Sequence, residues 1–279
     1  MKTFEWEWRS FDNLTMYSKC WAPEKEPRAV VCLVHGLGEH IGRYEHVGRA
    51  FTDAGYALLG FDHRGHGRSG GQRGHTPAYE ALLDDMAALL RQAGERYPAR
   101  PYFLYGHSMG GNLVINYALR RKADLGGVIA TGPFLKLAFQ PPAVKVALGR
   151  MMNNIAPGFT QTSGLETAAL SRDSNVVQAY INDPLVHNKI SARLFVSLFD
   201  SGQYAFDHPS EFPLPMLLMH GSADRLTSAA ASRQFGAAAP AFVTMRLWDG
   251  FFHEIHNEPE KDEVLKAMIA WLDGQVKAK

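Results

Sequence analysis

The sequence is poor in cysteine, in long apolar runs and in charge of one sign. Two cysteines, Cys20 and Cys32, are too few for a disulfide framework; on neighbouring predicted strands, they read as reduced core residues. No stretch approaches the roughly 18 to 20 consecutive apolar residues of a membrane-spanning helix, so any membrane contact is peripheral. The opening segment Met1–Arg9 alternates charged with aromatic residues and lacks the apolar stretch of a signal peptide, so a cytoplasmic protein is the expectation. The 29 basic and 28 acidic residues leave a net charge of +1, without the concentrated positive field that nucleic acid requires. Internal repeats and low-complexity tracts are also missing. What is present is an ordinary globular composition, 46% hydrophobic and 20% charged, in 279 residues. That length suits one core with an insertion.

Apolar runs of strand length fall at Phe4–Ser10, Leu14–Trp21, Ala29–His35, Tyr56–Phe61, Tyr102–Tyr105, Gly127–Ala130, Met216–His220 and Val243–Trp248. Helical patterns over Tyr44–Ala54, Tyr79–Tyr97, Met109–Arg121, Ser228–Ala238 and Glu260–Lys277 alternate with them. This alternation predicts an α/β fold, a mostly parallel eight-stranded sheet flanked by helices. Between the strands near Ile129 and Leu217, about 80 residues carry helical patterns without a convincing strand, more than a connection needs. The expected organisation is a core of residues 1–133 and 213–279 with a helical cap at 134–212. Within the cap, Val144, Leu148, Met151, Met152 and Ile155 recur at helical spacing from Pro141-Pro142 to Pro157-Gly158. Two readings stand: the stripe packs the cap onto the core, or it lines an acyl-chain tunnel or touches lipid.

The main chemical signal is Gly106-His107-Ser108-Met109-Gly110-Gly111, between a predicted strand and a predicted helix. A strand-to-helix turn that projects Ser108 forces a strained backbone and crowds its flanks, so glycines stand at 106 and 110. This is the nucleophile elbow of an α/β-hydrolase. A serine hydroxyl needs a base, and in this fold the order is serine, acid, histidine. His253 follows the last predicted strand directly, whereas His256 sits closer to the final helix. For the acid, Asp224 ends the strand Met216–His220; Asp249 competes from the same strand end as His253, and Asp200 and Asp207 fall in the cap. The oxyanion donors are then the N–H groups of Met109 and of Leu37 in the glycine-bearing loop after the third strand.

Other polar clusters have plainer readings. His107, inside the elbow, is expected to point away from the serine hydroxyl. His253-Glu254-Ile255-His256 lacks the four-residue spacing of a helical zinc motif, so no metal is expected. Gly36, Gly38 and Gly42 before Asp62 imitate a dinucleotide fingerprint, but the third glycine is one residue late and Glu39 would face a pyrophosphate. The run Asp62–Ser69 reads as a tight turn built on a buried, hydrogen-bonded charge.

Taken together, His35–His40, Phe61–Ser69, Gly106–Gly111, Asn182–His187 and Gly221–Asp224 closely resemble the monoglyceride lipases and related lysophospholipase-like hydrolases. The resemblance covers nearly the whole chain. It implies cleavage of monoacylglycerols to glycerol and fatty acid through an acyl-serine, no cofactor, and a cap that touches the membrane holding the lipid. It also implies that Glu39, Arg43 and His256 surround the glycerol hydroxyls. On spacing alone, Glu39 and Arg43 are equally an i,i+4 surface ion pair. A lysophospholipase or general carboxylesterase with the same triad is the alternative, and a catalytically silent binding module the non-enzymatic one.

Overall fold

Five strands that read as continuous apolar runs are buried throughout, save the half-buried Tyr102 that opens one of them, as a parallel sheet covered on both faces requires. The computed structural model describes residues 1–121 and 124–277. The chain opens with β1 (Lys2–Arg9) and β2 (Thr15–Ala22), an antiparallel pair whose second strand also runs antiparallel to the strand at Ala57–Phe61. Then come β3 (Val30–Val34), α1 (Glu45–Asp53), β4 (Ala57–Phe61), α2 (Tyr79–Arg96), β5 (Tyr102–His107), α3 (Met109–Arg120) and β6 (Gly127–Thr131). After the insertion follow β9 (Met216–Gly221), α7 (Ala229–Ala238), β10 (Val243–Trp248) and α8 (Lys261–Lys277). The eight-stranded sheet has the order β1-β2-β4-β3-β5-β6-β9-β10, parallel from β4 onward. All eight expected strands are present, with ends moved by a residue or two.

The period of two along each strand divides the core. Val30, Cys32 and Val34 face one hydrophobic layer, with Leu82 and Leu89 of α2 and Leu113 of α3. Val31 and Leu33 face the other, with Phe51 of α1 and Met268 of α8. Both cysteines are free and buried. Their strands are not neighbours, because β4 lies between them: Cys20 and Cys32 each stand opposite Leu59. Two strand spacings, about 10 Å, exceed disulfide reach.

The segment between β6 and β9 holds α4 (Ala143–Ile155), β7 (Thr160–Thr162), α5 (Ser174–Asn182), β8 (Lys189–Ser191) and α6 (Ala192–Asp207). It is not purely helical, since β7 and β8 pair antiparallel. Nor is it all cap. Because β6 and β9 are parallel neighbours, the chain must cross back over the sheet between them, and α6 is that crossover. Its Leu194, Leu198 and Ala205 join the same core layer as α2 and α3. The expected boundary at 134–212 therefore takes in a core helix. Ser191 caps α6, its hydroxyl accepting from Leu194 N–H. The stripe on α4 also departs from one expectation: the helix has no buried residue, and Val144, Leu148, Met151 and Ile155 are all exposed. It does not pack the cap onto the core.

Candidate active site

Parallel strands deliver their carboxyl ends to one edge of the sheet, so the loops after β3, β5, β9 and β10 meet there. The loop after β3 brings Gly36 and Leu37; the turn after β5 is Ser108 itself. Ser108 has φ 54° and ψ −113°, the left-handed strain expected of an elbow. Side chains are barred on either side: a Cβ on Gly106 would lie 2.2 Å from Gly110 O, and one on Gly110 1.8 Å from Val34 O. Met109 starts α3, whose first hydrogen bond runs from Asn112 N–H to Ser108 O, so the Met109 N–H precedes the ladder.

The acid turn after β9 and the histidine loop after β10 are tied by their backbones, Ser222 N–H donating to Trp248 O and Ala223 N–H to Phe251 O, at 2.8 and 3.0 Å. Asp224 Oδ2 then sits 2.7 Å from His253 Nδ1. Asp224 Oδ1 accepts from the N–H groups of Leu226 and Thr227 at 2.7 and 3.0 Å. Burial alone would push this carboxyl up, but the charge of His253 and hydrogen bonds from both His253 and His220 hold it well below the carboxylate range. For His253, burial pushes down and the Asp224 carboxylate more than offsets it, so the imidazole lies above its ordinary value. The competing acids stand elsewhere: Asp249 is exposed and accepts from Ser222, Asp200 pairs with Arg150, and Asp207 accepts from Gln203.

Ser108 and His253 line one small cleft, about 10 Å³, together with Gly36, Leu37, Glu39 and Glu254. Leu165, Leu170 and Tyr180 close it from the inserted segment. His107 lines it too, its ring centroid 4.7 Å from that of His253. Its Nδ1 is engaged by the carbonyl and hydroxyl oxygens of Thr131, both at 3.1 Å, an anchor that fixes the ring's position.

Glu39 and Arg43 are not a surface pair. Their side chains are 3% and 10% exposed, and they share a third partner that the sequence reading did not single out, Glu254. Arg43 Nη1 donates to Glu39 Oε2 at 2.6 Å and to Glu254 Oε1 at 2.7 Å, while its Nη2 donates to Glu254 Oε2 at 2.7 Å. Glu39 Oε1 accepts from Gly36 N–H and the Tyr44 hydroxyl. Two carboxylates thus share one cation. The bidentate partner, Glu254, is held well below the usual range by Arg43 despite burial, whereas burial drives Glu39 upward. Arg43 also lies over the Tyr180 ring, 4.7 Å from its centroid. His256 is fully buried behind Tyr44, with ring centroids 5.0 Å apart, and lies outside the cleft lining. Burial takes it down to about 3. Of the three residues expected around a glycerol, only Glu39 lines the cleft. Leu148, Met151, Met152 and Ile155 do not line it either, so it contains no tunnel along that stripe. No helix among the described residues is long and apolar enough to cross a membrane, and no described cluster of His, Cys, Asp and Glu has the arrangement of a metal site.

Known proteins supply the comparison. A Dictyostelium discoideum protein described as an uncharacterized abhydrolase domain-containing protein is 37% identical over 268 residues, 95% of this chain. The chain spans only 28% of that protein's length. A monoacylglycerol lipase of Mycolicibacterium smegmatis is also 37% identical, over 254 residues and 90% of each chain. The crystal structure of the Paleococcus ferrophilus monoacylglycerol lipase superposes with a TM-score of 0.84 at 34% identity, covering 99% of this chain and all of that one. The family described as serine aminopeptidase, S33, matches residues 25–260. With its elbow, its sheet and that match, the chain belongs to the serine aminopeptidase S33 family of α/β-hydrolases and is a serine hydrolase.

Proposed function

We propose that this hydrolase cleaves monoacylglycerols, Ser108 taking the acyl group and glycerol leaving. Asp224 fixes the Nδ1–H tautomer of His253, freeing Nε2 to take the Ser108 proton and return it to the departing glycerol oxygen. The N–H groups of Leu37 and Met109 receive the oxyanion, and water then releases the fatty acid by the same route in reverse. The observation that carries the substrate reading is the polar wall of the cleft. Glu39 and Glu254 present carboxylates balanced by a single guanidinium, a net negative surface that accepts from hydroxyls and repels phosphate. Arg43 acts by holding both carboxylates, and His256 by packing behind Tyr44, rather than by touching glycerol. The cleft has room for about one water molecule, too little for a glycerol or an acyl chain, so the cap must shift to admit the lipid. The exposed apolar face of α4 supports docking of that cap on a lipid surface from the aqueous side.

The names of the relatives at 37% and 34% identity support the same reading. The test is a rate comparison on the purified protein, monoacylglycerol against lysophosphatidylcholine of the same chain length, with Ser108→Ala as the blank. One repelled charge at such a wall is worth about 1–3 kcal/mol, so the monoacylglycerol should be favoured by roughly tenfold or more. Equal rates would replace this reading with a general carboxylesterase or lysophospholipase.

A further inference from the structure

Asp224 carries a second histidine. His220, the penultimate residue of β9, is fully buried, and its Nε2 lies 3.0 Å from Asp224 Oδ2, the same oxygen that His253 Nδ1 approaches at 2.7 Å. The position of the ring proton follows from the partners. Nε2 faces three oxygens, Asp224 Oδ2, the Thr227 carbonyl at 3.2 Å and the Thr227 hydroxyl at 3.3 Å, of which the first two can only accept, so Nε2 bears the hydrogen and donates. Nδ1 then accepts from the Ser232 hydroxyl of α7 at 2.8 Å. Thr227 is a weaker competitor for Oδ2, because its one hydroxyl proton is divided between Asp224 Oδ2 at 2.8 Å and the Gly132 carbonyl at 2.9 Å.

We propose that His220 is a positioning residue: it draws off part of the charge on Asp224 Oδ2 and thereby sets the basicity of the histidine that activates Ser108. The inference rests on the roles given above to Asp224 and His253. A carboxylate oxygen that receives two imidazole N–H groups stabilises each imidazolium less than one that receives a single donor. Removing His220 concentrates the charge on His253 and leaves the base harder to deprotonate. Asp224 itself stays in place, since Oδ1 remains held by two backbone N–H groups. The other ionisable groups around His253 are Glu254 and Glu39, which act in the same direction as Asp224, and the rings of His107 and His256, which act against it.

The experiment is the pH dependence of kcat/KM on p-nitrophenyl butyrate, a substrate too short to need the cap. In His220→Leu the acid limb should move up by roughly half a unit to one unit, with kcat/KM below the limb down about three- to tenfold. In His220→Gln the amide nitrogen reaches the Nε2 position, so the limb should stay at the wild-type position with kcat within about threefold. A merely structural role would leave the limb unmoved in both. The proposal is overturned if the His220→Leu limb coincides with wild type, or if Leu and Gln behave alike. Should His220→Leu fail to fold, His220→Gln decides: a shifted limb or a loss beyond about tenfold in kcat overturns the proposal. Asp224→Asn is the separate control. If that variant keeps its activity, the triad reading itself has failed.

Discussion

Removing the Arg43 guanidinium would leave Glu39 and Glu254 buried side by side, two carboxylates whose shared cation is gone. Breaking a buried ion cluster in this way costs about 3–5 kcal/mol, because the remaining charges stay desolvated. Arg43→Met should therefore lower the denaturation midpoint sharply, and adding Glu254→Gln to it should restore part of the loss; a midpoint unchanged in the single variant would contradict the buried-cluster description. The residue scale also marks where sequence reading stops. Ser108, Asp224 and His253 could be assigned to one edge from the sequence because each lies in the turn or loop after a strand, and those turns and loops share one edge of a parallel sheet. The burial of Glu39 and Arg43 was not, because it depends on Glu254, 211 residues beyond Arg43. Its signal, a carboxylate directly after the histidine, was read only against zinc. Likewise His220, four residues before Asp224, belongs to a strand run whose apolar pattern hides a polar role.

At the scale of single elements, α4 is the outlier, a helix with apolar residues at core spacing and none of them in a core. Its contacts are with α6: Arg150 pairs with Asp200, and Gly149 brings the helix close to Phe195. Leu148→Ser with Met151→Ser should slow hydrolysis of long-chain monoacylglycerol in vesicles by roughly tenfold or more and leave p-nitrophenyl butyrate within about twofold. Equal losses on both substrates would refute the lipid-docking reading. Helical periodicity says that a helix has an apolar face, never what covers it, so the stripe's location had two readings before the structure. The strands β7 and β8 escaped for another reason. Three residues each are too short to develop a period of two.

For the molecule as a whole, buried histidines set the response to acid. Burial holds His35, His63, His66 and His107 well below the ordinary value of 6.5, with His187 at about 4 and His256 at about 3. Between those depressed values and 6.5 the unfolded chain binds more protons than the folded one, so stability is fully present above pH 6.5 and falls as the pH drops below it. His253, displaced upward, acts in the opposite sense and is outnumbered. Thermal melts from pH 7.5 to 4.5 should show a midpoint falling by roughly 10 °C or more, most of it below pH 6.5. A flat profile would mean that the histidine environments are more open than described.

The crossover role of α6 bears on how such a protein diversifies and how it can be rebuilt. Residues 136–138 lie along the loop of the acid, with Ser228 N–H on Lys136 O and Ala138 N–H on Leu226 O, and Ser191 N–H bonds to Gly74 O in the core. Everything outside those two anchorages belongs to the scaffold, and everything between them, from about residue 139 to 188, hangs on the scaffold without contributing a main-sheet strand or the crossover. That interval is the natural cassette of the chain. A recombination point placed inside 192–212 would cut through the hydrophobic layer beneath α3, whereas one at the two anchorages would exchange the cap together with the Ala169 and Leu170 carbonyls that receive the His253 and Glu254 N–H groups at 3.3 and 2.8 Å, so a foreign cap has to supply those two acceptors.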